Sequence, residues 1–487
     1  MAGDADLDNI FNPKSVAVVG VPTSSSRHSM AETYVRALIQ CKFGGPIYPI
    51  NPKGGEIHGL KIYANVKDTP DSVDYVISCI PAASVPQLVR DCAANGVKAI
   101  QFFTSGFSEE GTEEGRRLEA EICDIARQGS IRLIGPNCMG VYCPKSGLSF
   151  ALDYSTESGP VALICQSGGN AIYFVRHAAQ RGVRFSKVVS FGNAVDVDES
   201  DLLEYLTNDT ETKIITAYIE GLKDGRRFSK VVRRAAAAKP VIMMKGGSTE
   251  AGARAAASHT GVLAGSARIW DGLLRQAGVI PASTLEELAD IVVTLLYLPV
   301  PGGRRLGVID VGGGAGVVAT DAYVSAGLDL PRLPQDLRQK LRGFLSTGAA
   351  GLSVNNPVDL GGQFFNVSGA YSVMKELAGC GGIDILVFHL HLGINPPFAS
   401  FPKEYSVAIL NNAIKVHNET GKPMVVVIDQ LTTIESCETT FACQQKCQEA
   451  RIPVYSSVNG AAKALEQFMR YHEIPLSGST EFFLQLP

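Results

Sequence analysis

The sequence contains no run of about 18 or more apolar residues, so no membrane-spanning helix is expected. Its opening, "MAGDADLDNIFNPKS", is acidic and lacks the apolar stretch of a secretory signal. Blocks of like charge are also missing. The 44 Lys and Arg against 48 Asp and Glu give a formal net charge of −4, which favours neither a nucleic-acid backbone nor an anionic membrane. Eleven cysteines occur without a CxxC pair or a regular spacing. That excludes a disulfide framework and fits the reduced thiols of a cytoplasmic protein. Cys138, Cys165 and Cys380 read as small buried residues rather than ligands. The eight histidines form no HxxxH pair. "HLH" at 389–391 places two imidazoles on one face of a strand, but its setting, "ILVFHLHL", suggests packed or ligand-facing side chains, and no metal site is expected.

What is present is a globular composition, 45% hydrophobic and 19% charged over 487 residues, enough for two to four domains. Short β-branched runs alternate with Gly/Pro/Ser turns and amphipathic helical segments. "SVAVVG" (15–20), "PIYPI" (46–50), "YVISCI" (75–80), "AIQFF" (99–103) and "RLIG" (132–135) read as strands. "SVPQLVRDCAANG" (84–96) and "EEGRRLEAEICDIARQG" (113–129) read as helices between them. Such alternation implies parallel sheets built from βαβ units. A second block supplies "VALIC", "KVVSF", "IITAYIE" and "PVIMMKGG". After the Pro/Gly break "YLPVPGGRR" a third supplies "RLGVIDVGGGAGV", "DILVFHLHL", "PMVVVID" and "IPVYSS". The expected architecture is α/β, with three doubly wound parallel-sheet domains over residues 8–137, 138–298 and 305–475. In such sheets ligands bind at the carboxyl ends of strands.

Several strand ends carry candidate chemistry. After the first strand, Gly20 opens the loop "GVPTSSSRHSM", where Ser24, Ser25, Ser26 and Arg27 read equally as a phosphate grip and as an ordinary polar turn; the GxGxxG spacing is absent. Lys53 in "INPKGGEIHG" places a cation beside two glycines. "QSGGNAI" offers Ser167, Gly168 and Gly169 at a strand-to-helix turn, the better anion site, because a helix N-terminus presents N–H groups to negative charge. Glu220 ends the apolar strand of "AYIEGL" and is placed to orient an imidazole. Asn137 lies in the turn "IGPNCMG". The stretch "EAGARAAASHTGVLAGSA" (250–267) holds one histidine, His259, among small residues, and taken alone it reads as a packed imidazole.

Taken in order, "LDNIFNPKSVAVVG", "IYPINPKGGEIHGLKIY", "TSGFSEEG", "LIGPNCMGV", "LICQSGG", "SFGNAVDVDESDLLEYL", "YIEGLKDGRRF", "KGGSTEAGARAAASHTG", "GGGAGVVATDA" and "NNPVDLGG" resemble the α part of an NDP-forming acyl-CoA synthetase. This is the succinyl-CoA synthetase superfamily, and more closely its ADP-forming acetyl-CoA synthetase branch. The resemblance implies a Rossmann-like CoA-binding domain followed by two flavodoxin-like domains. It also implies a reversible reaction: acyl-CoA, phosphate and NDP give the free acid, CoA and NTP. His259 matches the histidine that carries the phosphoryl group, which makes the small residues around it read as a mobile loop, and Glu220 matches the carboxylate that hydrogen-bonds it. Ser167, Gly168 and Gly169 match the loop that holds its phosphate, and Asn137 lies near the acyl–phosphate transfer site. The resemblance further implies CoA contacts from Gly20, Ser24, Ser25, Ser26, Arg27, Lys53, Ile80, Pro81, Ala82, Thr104, Ser105 and Gly106. The first loop departs from the family's GASxxxGSxG form, and Pro22 removes an N–H donor.

The three blocks use up the chain and leave no segment that reads as the ATP-grasp module the family needs. ATP/ADP and Mg²⁺ are therefore expected on a separate β subunit, in an α2β2 assembly with a carboxylic acid or acyl-CoA as substrate. Two other functions compete. A non-catalytic CoA-binding regulatory protein has no use for His259, Glu220 and "QSGG" together. A CoA-linked acyltransferase scaffold without ATP chemistry would need an acetyltransferase-like block, and none is evident.

Overall fold

The computed structural model describes residues 4–23, 29–260, 266–345, 352–361, 366–392, 403–429 and 434–473. The described residues fall into two compact units. One holds the chain up to Leu288 apart from Gln180–Gly182; the other holds those three residues and the chain from Ala289.

The first unit contains two large sheets and a two-stranded one. β1 (Val16–Val19), β2 (Ile47–Ile50), β5 (Tyr75–Ser78), β6 (Ala99–Phe102) and β7 (Arg132–Ile134) form a parallel sheet in the order β2-β1-β5-β6-β7. The short hairpin of β3 (Gly55–Ile57) and β4 (Leu60–Ile62) is inserted after β2. All four residues of β1, "VAVV", are buried, as expected of a strand covered on both faces. The helix Glu113–Gln128 buries Gly115, Leu118, Ile122 and Ala126, one face at three- and four-residue spacing, and Thr112 caps it by accepting from Gly115 N–H.

The second sheet uses β8 (Gly140–Tyr142), β9 (Val161–Cys165), β10 (Phe185–Ser190), β11 (Ile214–Ile219), β12 (Val241–Lys245) and β13 (Ile280–Ala282), in the order β13-β12-β11-β9-β10-β8. β8 runs antiparallel to β10, a departure from the all-parallel expectation. It is only three residues long, too short for its pattern to signal direction. The helix Glu199–Asn208 starts at a reciprocal cap between Asp198 and Asp201.

The second unit is built on β14 (Leu306–Asp310), β15 (Val358–Asp359), β16 (Ile385–Leu390), β17 (Met424–Ile428) and β18 (Val454–Tyr455), all parallel, in the order β15-β14-β16-β17-β18. Its core joins Ile309, Leu386, Phe388 and Val426 from the sheet to Val373, Leu377, Ile409 and Leu410 from helices.

One expectation is corrected. The stretch read as a loop around His259 is helical over Glu250–Thr260. Its alanines, "ARAAA", are the best helix formers and outweigh the single Gly252. Among the described residues no helix is long and apolar enough to cross a membrane.

Candidate active site

In the second sheet β9 has β10 on one side and β11 on the other, so the chain reverses its winding beside β9. The segments leaving β9 and β11 meet at that switch point, where sheets of this kind place their ligands. Gln166 leaves β9 and Glu220 leaves β11. Gln166 Oε1 accepts hydrogen bonds from Glu220 N–H and from Gly221 N–H, the latter at 3.0 Å, and Gln166 N–H donates to Tyr218 O at 3.1 Å. One amide side chain thus ties the carboxylate's backbone to the turn that begins the helix Gly168–Ala179. Glu220 is buried, at 5% exposure.

Ser167 caps that helix. Its Oγ accepts from Asn170 N–H at 3.3 Å, and its carbonyl accepts from Ala171 N–H. A helix's first turn leaves N–H groups without intrahelical partners, and Gly168 and Gly169 occupy it here. A Cβ on Gly169 would meet nothing within 4 Å, so this side is open. A Cβ on Gly168 would stand 2.7 Å from Met139 Cγ, so glycine is what lets the "GPNCMG" turn approach the helix. Met139 N–H also donates to Ser190 Oγ at 3.1 Å.

Asn137 sits in that turn in the left-handed region, φ 57°, and donates from its backbone to Thr104 O at 2.9 Å. The next turn of the second sheet closes on the same residues: a Cβ on Gly192 would fall 2.5 Å from Asn137 O. Asn137 is therefore fixed between strand ends of both sheets in this unit.

Lys245, at the end of β12, donates from Nζ to Glu220 O at 2.7 Å and to Gly246 O. Burial lowers the Lys245 pKa, and the Glu220 charge opposes that. Tyr218 is pushed well up, by burial first and then by the Glu220 carboxylate. A Cβ on Gly246 would lie 2.6 Å from Tyr218 Oη and 3.0 Å from Glu220 Cγ, so this glycine makes room for both side chains. Gln166, Tyr218, Lys245 and Gly246 carried no role in the sequence reading. Their one signal was position, immediately at or after the ends of the apolar runs "VALIC", "IITAYI" and "VIMMK".

His259 lies in the last turn of the helix Glu250–Thr260. Its side chain is outside the description. That helix lies against the short turn Ser108–Glu110, which follows the "TSGF" loop of the first sheet.

The remaining described candidates lie around the first sheet's own switch point, between β1 and β5. Gly20 leaves β1 at φ +97°, where a Cβ would stand 2.8 Å from Cys79 O. Thr104 Oγ1 donates to Ile80 O at 2.7 Å, which joins the loops after β5 and β6. Pro81 and Ser105 are exposed, and a Cβ on Gly106 would lie 3.2 Å from the Ala82 side chain. Lys53 is exposed after β2, its N–H bonded to Asn51 Oδ1, and Asn51 Nδ2 reaches Val21 O at 2.7 Å. Ser24, Ser25, Ser26 and Arg27 lie outside the described residues. Cys138 and Cys165 are buried as expected, whereas Cys380 is half-buried.

Comparison with known proteins agrees with this layout. Residues 14–144 match a CoA-binding domain family, 158–295 the succinyl-CoA ligase-like flavodoxin domain and 306–459 the ligase-CoA domain. The chain is 36% identical over 471 residues to the α subunit of ADP-forming acetate–CoA ligase I from Pyrococcus furiosus, covering 96% of this chain and 97% of that one. It is 40% identical over 364 residues to the ADP-forming acetate–CoA ligase of Methanocaldococcus jannaschii, covering 74% of this chain and 50% of that one. Among solved structures, acetyl-coenzyme A synthetase 1 of Ca. Korarchaeum cryptofilum, with phosphate and ADP bound, superposes with a TM-score of 0.79 at 32% identity, over 96% of this chain and 97% of that one.

A CoA-binding domain followed by a succinyl-CoA ligase-like flavodoxin domain and a ligase-CoA domain defines a CoA–acid ligase of the succinyl-CoA ligase type. More narrowly, the chain belongs to the α subunits of the ADP-forming acyl-CoA ligases, which are acid–thiol ligases.

Proposed function

We propose that this chain carries both the CoA site and the phosphoryl-carrying histidine of an ADP-forming acyl-CoA synthetase. The observation that carries the reading is the link through Gln166, which holds Glu220 and the Ser167–Gly169 helix start at one switch point. A carboxylate there holds the proton on one imidazole nitrogen and leaves the other nucleophilic. A helix N-terminus beside it neutralises phosphate.

Phosphate attacks the acyl-CoA thioester carbonyl; the C–O bond forms, the C–S bond breaks and CoA leaves as the thiol. Backbone N–H groups at the glycine turn stabilise the negative charge that develops. The His259 ring nitrogen then attacks phosphorus; a P–N bond forms and the carboxylate leaves. Transfer from nitrogen to ADP completes the cycle and returns neutral imidazole.

CoA is assigned to the β1/β5 crevice, with Gly20, Ile80, Pro81, Ala82, Thr104, Ser105 and Gly106 along its walls and Lys53, Ser24, Ser25, Ser26 and Arg27 toward its phosphates. The closeness of Gly20 to Cys79 O and of Gly106 to Ala82 supports this, because larger side chains would fill the crevice. Asn137 is assigned to the acyl–phosphate end, between the two sheets. Domain limits of 8–137, 138–298 and 305–475 accompany the assignment.

ATP/ADP and Mg²⁺ are assigned to an ATP-grasp β subunit in an α2β2 enzyme working in the cytoplasm. Support comes from the relatives. The Pyrococcus furiosus protein is named a subunit alpha, and the Methanocaldococcus jannaschii ligase is about twice the length that this chain matches.

The test is phosphorylation of the chain by labelled ATP with the β partner and Mg²⁺. An acid-labile, base-stable label is expected, with His259→Ala losing it and lowering turnover by at least about 10³-fold. A label that survives His259→Ala would overturn the assignment.

A further inference from the structure

In the second unit the sheet ends in a row of ionisable side chains that the reaction above does not use. Register pairs Asp310 of β14 with Asp359 of β15, and Ile309 with Phe388 of β16, which brings His389 level with Asp310. Leu390 of β16 pairs with Ile428 of β17, which brings His391 level with Asp429. The four strand ends thus present Asp359, Asp310, His389 with His391, and Asp429 in sequence across the sheet. β14 has β15 on one side and β16 on the other, so Asp310 and the two histidines flank the switch point of this sheet.

The geometry at the centre is close. Asp310 Oδ2 lies 2.8 Å from His389 Nδ1, and Asp310 Oδ1 lies 2.7 Å from His391 Nε2. One ligand atom from each of the three residues falls within 4.8 Å of the others. Side-chain exposure is 0% for Asp310, 1% for His389 and 6% for His391. The outer nitrogens also have partners: His389 Nε2 meets Tyr323 Oη at 2.9 Å, and His391 Nδ1 meets the Asp429 carboxylate. A metal-ligating histidine characteristically has its second nitrogen held by a carboxylate or another polar group, which fixes the ring and its tautomer.

Charge points the same way. Three carboxylates face two imidazoles, and no Lys or Arg pairs with Asp310, Asp359 or Asp429 among the described residues. Asp359 is 4% exposed. Its Oδ1 accepts from Gly312 N–H and Gly361 N–H, while its Oδ2 has no hydrogen-bond partner among the described residues. A Cβ on Gly313 would stand 3.4 Å from that oxygen and a Cβ on Gly316 3.8 Å from Asp310 Oδ2, ordinary contact distances, so the helix Gly313–Ser325 starts directly beside both carboxylates.

We propose that Asp310, His389 and His391 form a binding site for a divalent transition metal of the Zn²⁺ class. Two imidazoles and one carboxylate are a borderline-hard N/O donor set suited to Zn²⁺. Metal–nitrogen bonds of about 2.0–2.1 Å set ligand atoms about 3.3 Å apart around a tetrahedron, so each N···O pair opens by roughly half an ångström. The metal takes the imidazole lone pairs that face Asp310: a neutral ring keeps its one proton on the outer nitrogen, toward Tyr323 Oη or the Asp429 carboxylate, and a protonated ring releases its second proton to solvent. A fourth position remains for water or another donor. The "HLH" histidines, expected to be packed or ligand-facing, thereby become ligands through Asp310, a strand-end residue 79 positions earlier in the chain.

The full-length chain, stripped with chelator, is titrated with Zn²⁺ by calorimetry, and with Co²⁺ while its visible spectrum is followed. The expected result is one equivalent bound, with the d–d bands of four-coordinate cobalt and no thiolate charge-transfer band. His391→Gln should lose this site. Asp429→Asn, which removes an outer partner on a part-exposed side chain, should keep the stoichiometry and weaken affinity about 10–100-fold. No stoichiometric binding to the wild-type chain overturns the proposal, and that result needs no variant to fold. A thiolate band, or full binding by His391→Gln, also overturns it, by placing the metal at a cysteine or elsewhere.

Discussion

The strand ends beside β9 and the row beside β14 occupy equivalent switch points in two doubly wound sheets, and they are built for opposite charges. Beside β9 the first strand gives way to "QSGG". An amide and a capped helix start face the switch point, and the one carboxylate, Glu220, comes from the neighbouring strand end. Beside β14 the first strand itself ends in a carboxylate, Asp310, and the neighbouring strand brings two imidazoles. Burial pushes the His391 pKa down, but Asp310 and Asp429 outweigh burial and hold it up at about 9. Burial would raise Asp310, yet the hydrogen bonds from His389 and His391 keep it below the usual carboxylate range. The comparison teaches that topology fixes where a ligand sits, while the last residue of the first strand and the first turn after it decide the sign of its charge.

Breaking the row should have the largest effect on stability. Asp310→Asn leaves two buried imidazoles without their shared carboxylate, and should cost about 3–5 kcal/mol. The loss should show in denaturant unfolding, with hydrogen exchange accelerating first in β14 and β16. A change under about 1 kcal/mol would mean that the row is not held by this residue.

Breaking the site beside β9 should instead affect chemistry. Glu220→Gln keeps the shape and removes the charge, so turnover should fall on the order of 10²-fold while unfolding shifts by less than about 1 kcal/mol. Equal loss of both would make Glu220 a structural residue.

The smallest effect sharpens the comparison through pH. Glu199, at the start of the helix Glu199–Asn208, is a buried carboxylate whose Oε1 has no hydrogen-bond partner among the described residues. Burial, then the neighbouring Asp198 charge, raises its pKa from 4.5 to about 7. An acid with a raised folded pKa binds more protons folded than unfolded across that window. Its contribution is fully present below pH 4.5 and is lost as pH rises through about 7. Glu199→Gln should therefore stabilise the chain by about 2–3 kcal/mol at pH 8 and hardly at all at pH 4. A gain of equal size at both pH values would point to packing rather than ionisation.

Much of this was legible in the sequence. The fully apolar runs "VAVV", "VALIC" and "MVVVI" gave buried parallel strands, and glycine turns marked where they ended. What escaped were elements with too few residues to show a period: β8, β13, β15 and the hairpin of β3 and β4. The helix around His259 escaped for another reason, since a run of small residues fits both a loop and an alanine helix. Glu220 and "QSGG" were legible singly, but their coupling through Gln166 spans 54 positions and depends on strand order. The row on the third sheet was hidden in the same way: "GVID", "VVVID" and "HLH" each look like ordinary strand ends until register aligns them.

In the proposed reaction the phosphoryl group travels on His259 and not on the histidines of the third sheet. Mapping phosphohistidine by tandem mass spectrometry at alkaline pH, after reaction with ATP, Mg²⁺ and the β partner, tests it most directly. Modification is expected at His259 and none at His389 or His391; phosphate on either of those, or none at His259, overturns the assignment.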